Sequence, residues 1–217
     1  MSTAQQKPDK PNRMDQRRER TRQQILTAVE SLVLKQGYDD TSAEAIAELA
    51  DLGRSTFYNH FDNKKNAVLA TITARYTRYG QDAYVPLEQT LDRRVAVAVS
   101  AGEIFRAMAN DPLTRQLVDR PHMLVQALLA SQVDFVVGDA SDGVRQGHFK
   151  FATNLESMFT LLMWGYVGLI IKAINDDSVE STCVDWCRLL LLNLGVNAGE
   201  IEDILARSQA EHAFISP

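Results

Sequence analysis

Apolar residues recur every three or four positions along most of this chain, and no segment shows the strict alternation of a half-buried strand. The pattern predicts an all-α protein. Ile25, Leu26, Val29, Leu32 and Val33 form one stripe, and Gly37 supplies the stop just beyond Gln36, since glycine readily takes the left-handed conformation that closes a helix. Ser42 suits the N-cap of a short second helix whose Ile46, Leu49 and Ala50 share a face. Asp51, Leu52 and Gly53 interrupt the periodicity with two residues that tolerate turns. Over residues 54–61, Phe57 and Phe61 lie four apart and anchor a third helix. Arg54, Ser55, Thr56, Tyr58, Asn59 and His60 then fall largely on its other faces. Asn63 can cap a fourth helix, running from Lys64 through Ile72 toward Tyr79.

Gly80 and Pro86 mark the passage to a second region, also helical. Helices are predicted over about 88–109, 113–118 and 121–137, the last opened by Pro121, with a polar, glycine-containing loop over 138–147. Phe151, Leu155, Phe159, Leu162, Tyr166 and Leu169 trace a long helix, residues 179–194 trace another, and a short one over about 199–208 closes the chain. The two long helices are apolar around most of their circumference. More surface needs burial than one subunit supplies, and Gly165 and Gly168 permit close helix contact, so a four-helix bundle shared by two subunits is expected.

Two short helical patterns across a tight turn, the second rich in exposed hydrogen-bonding side chains, have the form of a helix-turn-helix that reads DNA. The run from Arg17 to Leu69 resembles the N-terminal domain of the TetR family of bacterial transcriptional regulators, whose pattern is roughly A-G-V-S-x-x-T-x-Y-x-H-F-x-S-K. Ala50, Thr56, Tyr58, His60, Phe61 and Lys64 match it. Asp51 stands where that family usually has Gly, and Gly53 where it usually has a Ser or Thr cap. Each departure costs on the order of a kcal/mol or less, which loosens the turn without abolishing it. The resemblance implies a helix-turn-helix domain over 15–79, preceded by a flexible basic arm over 1–14 and followed by a helical effector-binding and dimerisation domain over 80–217.

The formal net charge of −5 looks wrong for a DNA-binding protein until it is divided along the chain. Residues 1–22 hold seven basic and three acidic groups, whereas residues 23–65 hold four basic and seven acidic ones. A basic leading segment can meet backbone phosphates while an acidic body stays repelled from nucleic acid. Lys64 and Lys65 at the start of the fourth helix oppose its dipole and invite an external anion, a phosphate being the obvious one. The two cysteines, Cys183 and Cys187, form no disulfide framework and fit a reducing compartment. No apolar run approaching the roughly 20 residues of a membrane span is evident, nor a signal peptide, so a cytoplasmic location without membrane contact is expected.

The resemblance further implies a homodimer, joined through the two long C-terminal helices, that places residues 54–61 of each subunit in successive major grooves of a near-palindromic operator. Half-sites for such dimers lie about 34 to 36 Å apart. By reach, Arg54, Ser55, Thr56 and Asn59 are assigned to base edges, and Ser42, Tyr58, His60 and Lys64 to phosphates. Members of that family usually release DNA on binding a small molecule, and repression is the commoner behaviour. An apolar effector cavity is expected from Phe105, Met108, Met123, Phe159, Met163 and Trp164, with His122 or Gln126 as a polar handle. The cysteine pair raises redox sensing or soft-metal binding, although no histidine accompanies it. No metal site, cofactor loop, nucleophile elbow or paired carboxylate is recognisable, so an enzyme is not expected. The competing reading is a helical ligand-binding or scaffolding protein whose helix-turn-helix is vestigial.

Overall fold

A computed structural model describes residues 12–84, 92–145, 147–150 and 154–215, with side chains for all of these except 84, 132–142, 155 and 212–215. Every regular element among the described residues is a helix. The chain divides into two compact units, one ending at Val68 and the other beginning at Leu69.

In the first unit, α1 spans Arg13–Gln36, α2 Ala43–Leu49 and α3 Arg54–Tyr58, and α4 begins at Lys64 and runs to Tyr84. Residues 1–11 of the expected arm lie outside the described residues. Its last part is not an arm: the Asn12 side chain accepts from the backbone amides of Met14 and Asp15 at 2.8 and 2.9 Å, which caps α1 and makes Arg13 its first residue. The core is formed by Ile25, Leu26, Ala28, Val29 and Val33 of α1, by α2, and by Phe57, Phe61, Ala67 and Val68. On α2 the buried stripe is Ala43, Ile46, Ala47 and Ala50, spaced i, i+3, i+4, i+7, while Leu49 is half exposed. The expected inward role of Leu49 is thus taken by Ala47.

The turn after α2 is a Schellman closure. Leu52 N–H donates to the Ala47 carbonyl at 2.9 Å and Asp51 N–H to that of Glu48 at 3.0 Å, with Asp51 at φ 54° in the left-handed region. Gly53 caps α3 in extended backbone with no side-chain hydrogen bond. α3 is shorter than expected as a regular helix, yet Asn59 N–H still donates to Ser55 and Phe61 N–H to Phe57, so the coil continues to Phe61.

In the second unit, α5 spans Arg93–Asn110, α6 Pro112–Arg115, α7 Pro121–Arg145, α8 Leu155–Asn175, α9 Val179–Asn193 and α10 Ala198–Ile215. α4 passes through Gly80 unbroken. α7 likewise passes through the glycine-containing segment expected as a loop. A glycine within a helix costs roughly 1 kcal/mol against alanine, and here packing offsets it. The Phe149 ring lies where a β-carbon on Gly143 would stand, 1.9 Å from its Cδ2, and the amides of His148 and Phe149 close the helix on the Gly143 carbonyl. α10 is also longer than its pattern suggested.

α9 packs on α5, α8 and α10, α5 packs also on α8 and α10, and α7 lies on α8. The buried centre joins Phe105 and Met108 of α5 to Tyr166 of α8 and Trp186 of α9. Tyr166 meets Phe105 edge-on at 5.6 Å and Trp186 at 4.6 Å between ring centroids, and its hydroxyl donates to Met108 Sδ at 3.5 Å. Residues Glu156–Asn175 of α8 are long and apolar enough to cross a membrane, contrary to the expectation that no such run exists. Met158, Leu162, Met163, Tyr166, Val167, Ile170 and Ala173 are nonetheless buried within this unit, the position of a core helix.

Candidate nucleic-acid interface

The first unit holds α3 by its phenylalanines. Phe57 is fully buried and packs on Phe61 at 6.1 Å and edge-on against Tyr58 at 5.4 Å, and the Arg22 guanidinium lies 5.3 Å from the Phe61 ring. With that side fastened, Arg54, Ser55, Tyr58 and Asn59 are exposed, and Thr56 and His60 are half-buried. Arg54, whose side chain is 69% exposed, pairs with Glu44 of α2 at 3.0 Å and lies over the Tyr58 ring at 5.6 Å. An exposed pair of this kind contributes about 0 to 1 kcal/mol, so the guanidinium exchanges it readily for a better acceptor.

The residues expected at phosphates divide by how far they are already engaged. Ser42 accepts from the Ala45 amide at 3.0 Å, which leaves its hydroxyl proton free to donate outward. His60 is held below the ordinary histidine pKa by burial first and then by the positive charge of Arg18 and Arg22, opposed by Glu19. Its imidazole is therefore neutral at pH 7, and added phosphate charge would raise its pKa. Lys64 is more committed than its sequence position suggested: the ammonium donates to the carbonyls of Tyr38 at 2.8 Å and Asp39 at 3.2 Å and lies 4.4 Å from the Tyr38 ring. It fastens the start of α4 to the segment after α1, with at most one of its three protons left for an anion. Arg17, Arg18 and Arg20 of the basic leading segment are exposed on α1 and give it a basic surface.

In the second unit, Phe105, Met108, Met123 and Met163 are buried and Phe159 is half-buried. His122 and Gln126 are exposed, and Trp164 is 49% exposed, so these three do not complete the expected apolar cavity. Helical phase decides this, because Met123 and Ala127 turn α7 inward and so carry their neighbours His122 and Gln126 out. Sequence reasoning missed Trp186 as a polar group at the buried centre: it is 4% exposed, and its indole Nε1 has no hydrogen-bond partner among the described residues. A tryptophan within an apolar helix gives no advance sign of that.

Residues 25–71 match the family model described as bacterial regulatory proteins, tetR family. Residues 25–71 thus carry the N-terminal domain of that family. It is 31% identical over 115 residues to the HTH-type transcriptional repressor KstR of Rhodococcus jostii, a match covering 53% of each chain. It is 36% identical over 67 residues to the HTH-type transcriptional regulator TcmR of Streptomyces glaucescens, covering 31% of this chain and 30% of that one. The match thus spans about half the length of the first of these curated relatives and less of the second. Among solved structures, RolR in complex with resorcinol superposes with a TM-score of 0.75 at 22% identity, covering 88% of this chain and 96% of that one. FadR of Bacillus subtilis in complex with stearoyl-CoA gives 0.58 at 15% identity, covering 81% and 98%. At these identities the structures establish a shared TetR-like fold. Its N-terminal helix-turn-helix is the region of the family match.

Proposed function

We propose that this protein is a DNA-binding transcriptional regulator, acting as a repressor, that binds a near-palindromic operator as a homodimer. One observation carries the reading: α3 buries Phe57 and Phe61 while Arg54, Ser55, Tyr58 and Asn59 stay exposed, a helix held on one side and hydrophilic on the other. Arg54 suits a guanine edge, Asn59 an adenine edge, and Ser55 and Thr56 adjacent base edges. Ser42, Tyr58, His60 and the remaining Lys64 proton meet phosphates, joined by the α1 arginines. The domain limits proposed for this function, 15–79 and 80–217, keep α3 and the start of α4 in the DNA-binding part. A cytoplasmic location, where chromosomal DNA is accessible, follows from the same reading.

The second subunit meets α8 and α9. Leu161 is 67% exposed, and Trp164, Leu189 and Leu192 are also exposed large apolar side chains on these two helices. Nothing lies within 4 Å of the position a β-carbon would take on Gly165 or Gly168, so another helix can approach closely there. A second copy of the same face forms the expected four-helix bundle. The effector is a small, largely apolar molecule held near Phe105, Met108, Met123, Phe159 and Met163. Trp186 Nε1 serves as its hydrogen-bond donor in place of His122 and Gln126, and Trp164 belongs to the subunit interface.

Electrophoretic shift on the protein's own upstream DNA, repeated across salt concentrations, tests the proposal. A salt-dependent specific complex is expected. Arg54→Ala should weaken specific binding by about 1 to 3 kcal/mol, roughly five- to 150-fold, and relax sequence preference. Equal loss on operator and random DNA would remove Arg54 from the base edges, and undiminished binding after Arg54 and Tyr58 are both replaced would favour the vestigial reading.

A further inference from the structure

Cys183 and Cys187 lie one helical turn apart on the inner face of α9, opposite Leu189 and Leu192, and both meet α5. The Cys183 thiol approaches the Gly102 carbonyl at 3.6 Å and the Cys187 thiol the Ala98 carbonyl at 3.5 Å, so the pair matches one turn of α5 in antiparallel register. Gly102 keeps the ground before them open: a β-carbon there would stand 3.6 and 3.7 Å from the two sulfurs and 3.1 Å from Arg106 Nη1. A crevice of about 20 Å³ results, bordered by both sulfurs, Gly102 and Arg106 and reaching Ser208 and Gln209 of α10. That is room for one or two water-sized molecules. Arg106 is held beside it by Glu180, whose carboxylate accepts from Nε at 2.9 Å, and by Glu103 at 3.5 Å.

We infer that Cys183 is a site of oxidation by hydrogen peroxide, with Cys187 as the resolving thiol. The dimensions of the crevice select the oxidant, since hydrogen peroxide is little larger than water and bulky electrophiles do not fit. The guanidinium opposes a soft metal cation, and no cluster of three or more metal-ligating side chains is found among the described residues. The two thiols are unequal. Cys183 is pulled below the ordinary thiol pKa by a hydrogen bond from Cys187 first and by the Arg106 charge as well, against burial and the carboxylates of Glu180 and Glu103. Cys187 is pushed well above it by the same hydrogen bond and by burial. The nucleophilic thiolate thus forms at Cys183 and the retained proton sits on Cys187.

In the first step the Cys183 thiolate attacks one peroxide oxygen. The O–O bond breaks, hydroxide leaves beside Arg106 and takes up a proton as water, and Cys183 becomes a sulfenic acid. Cys187 sulfur then attacks that of Cys183, the S–O bond breaks, and the departing hydroxyl leaves as water with the Cys187 proton. Two electrons from the dithiol reduce one peroxide to two waters. Cα atoms four apart on a helix are about 6 Å from each other, within a disulfide's span, but their Cβ atoms stand about 5 to 6 Å apart against the roughly 3.5 to 4.5 Å a disulfide needs, so closing the bond distorts a turn of α9.

The full-length protein, treated with hydrogen peroxide, quenched with catalase, unfolded and alkylated, should give a tryptic 173–188 peptide two hydrogens lighter and closed to alkylation at both cysteines. Cys187→Ser should stop at a gain of one oxygen on Cys183, and Cys183→Ser should leave Cys187 open to alkylation. Arg106→Met should slow the reaction at least about threefold, through the lost thiolate and leaving-group stabilisation. Helical circular dichroism checks that each variant is folded. A native dithiol that stays alkylatable while free cysteine is consumed would overturn the inference. So would oxidation of Cys183→Ser at the wild-type rate, or equally fast reaction with a bulky hydroperoxide.

Discussion

Two arginine–carboxylate pairs in this protein have the same chemistry and opposite surroundings. Arg54 and Glu44 meet in the first unit with side chains 69% and 53% exposed, and the cation is at liberty to leave. Arg75 and Asp111 meet in the second, where the Asp111 side chain is fully buried. Its Oδ1 also accepts from Tyr79, and its Oδ2 takes the Thr114 amide and hydroxyl, both at 2.9 Å. Since the Thr114 hydroxyl donates to Asp111, the Tyr76 hydroxyl donates to Thr114 across 2.9 Å. Burial pushes the Tyr76 pKa up, which keeps that proton in place. Water competes for the first pair and costs it most of its energy, whereas in the second the Asp111 carboxylate has no solvent to return to and Arg75 keeps a side chain 26% exposed. Exposure thus makes one arginine available for recognition and leaves the other to joining α4 to α6.

Asp111→Ala tests that contrast where its effect is largest. It removes the buried carboxylate that Arg75 and Tyr79 meet, the α6 cap and the acceptor of the Thr114 amide and hydroxyl, so urea unfolding should show a loss of about 2 to 4 kcal/mol. A loss below about 1 kcal/mol would erase the distinction. Asp92 is an intermediate case, receiving Arg94 and, at 3.0 Å, Arg207 of α10, with a side chain 16% exposed. Arg94, chiefly through hydrogen bonding, holds its pKa at about 2. Because the folded value lies below the unfolded one, the stabilisation is complete above about pH 4 and is lost as pH falls through the folded value. Asp92→Asn should remove about 1 to 2 kcal/mol of acid-sensitive stability, read from unfolding curves between pH 5 and 2.

On the exposed side, Glu44→Ala should change stability by less than about 0.5 kcal/mol and, if the proposed function holds, tighten DNA binding a few-fold by releasing Arg54 and removing a negative charge beside it. Titration at fixed salt measures it, and weaker binding would mean that Glu44 positions Arg54. The smallest change is Gly53→Ser, for which the β-carbon position has no neighbour nearer than 3.9 Å. It should stabilise the first unit by a few tenths of a kcal/mol, seen as a small rise in melting temperature.

Much of the first unit was legible because its signals are local. The caps at Ser42 and Asn63, the stop at Gly37 and the left-handed Asp51 each depend on a few consecutive residues. The polar side of α3 followed from the phenylalanine spacing alone. The prior engagement of Lys64 was not legible because the Tyr38 and Asp39 carbonyls that receive its protons are some 25 residues away in sequence. The loop expected over 138–147 failed for a related reason, as the Phe149 ring that occupies the space beside Gly143 is not part of the helix it steadies. His122, Gln126 and Trp164 were chosen by residue type, and the turn of their helices carried them outward.

Periodicity and capping, read from the chain, determined that the protein is helical, where most helices begin and end, and which short helix is held by phenylalanines on one side and polar on the other. Packing decided which arginine keeps an exposed carboxylate partner and which a buried one, which side of α8 is core, and that two cysteines share a crevice with Arg106. Helix formation is governed by neighbours a turn or two apart, so sequence order contains it. The fate of a charge or a thiol depends on the groups that surround it in space, and only the folded chain brings those together.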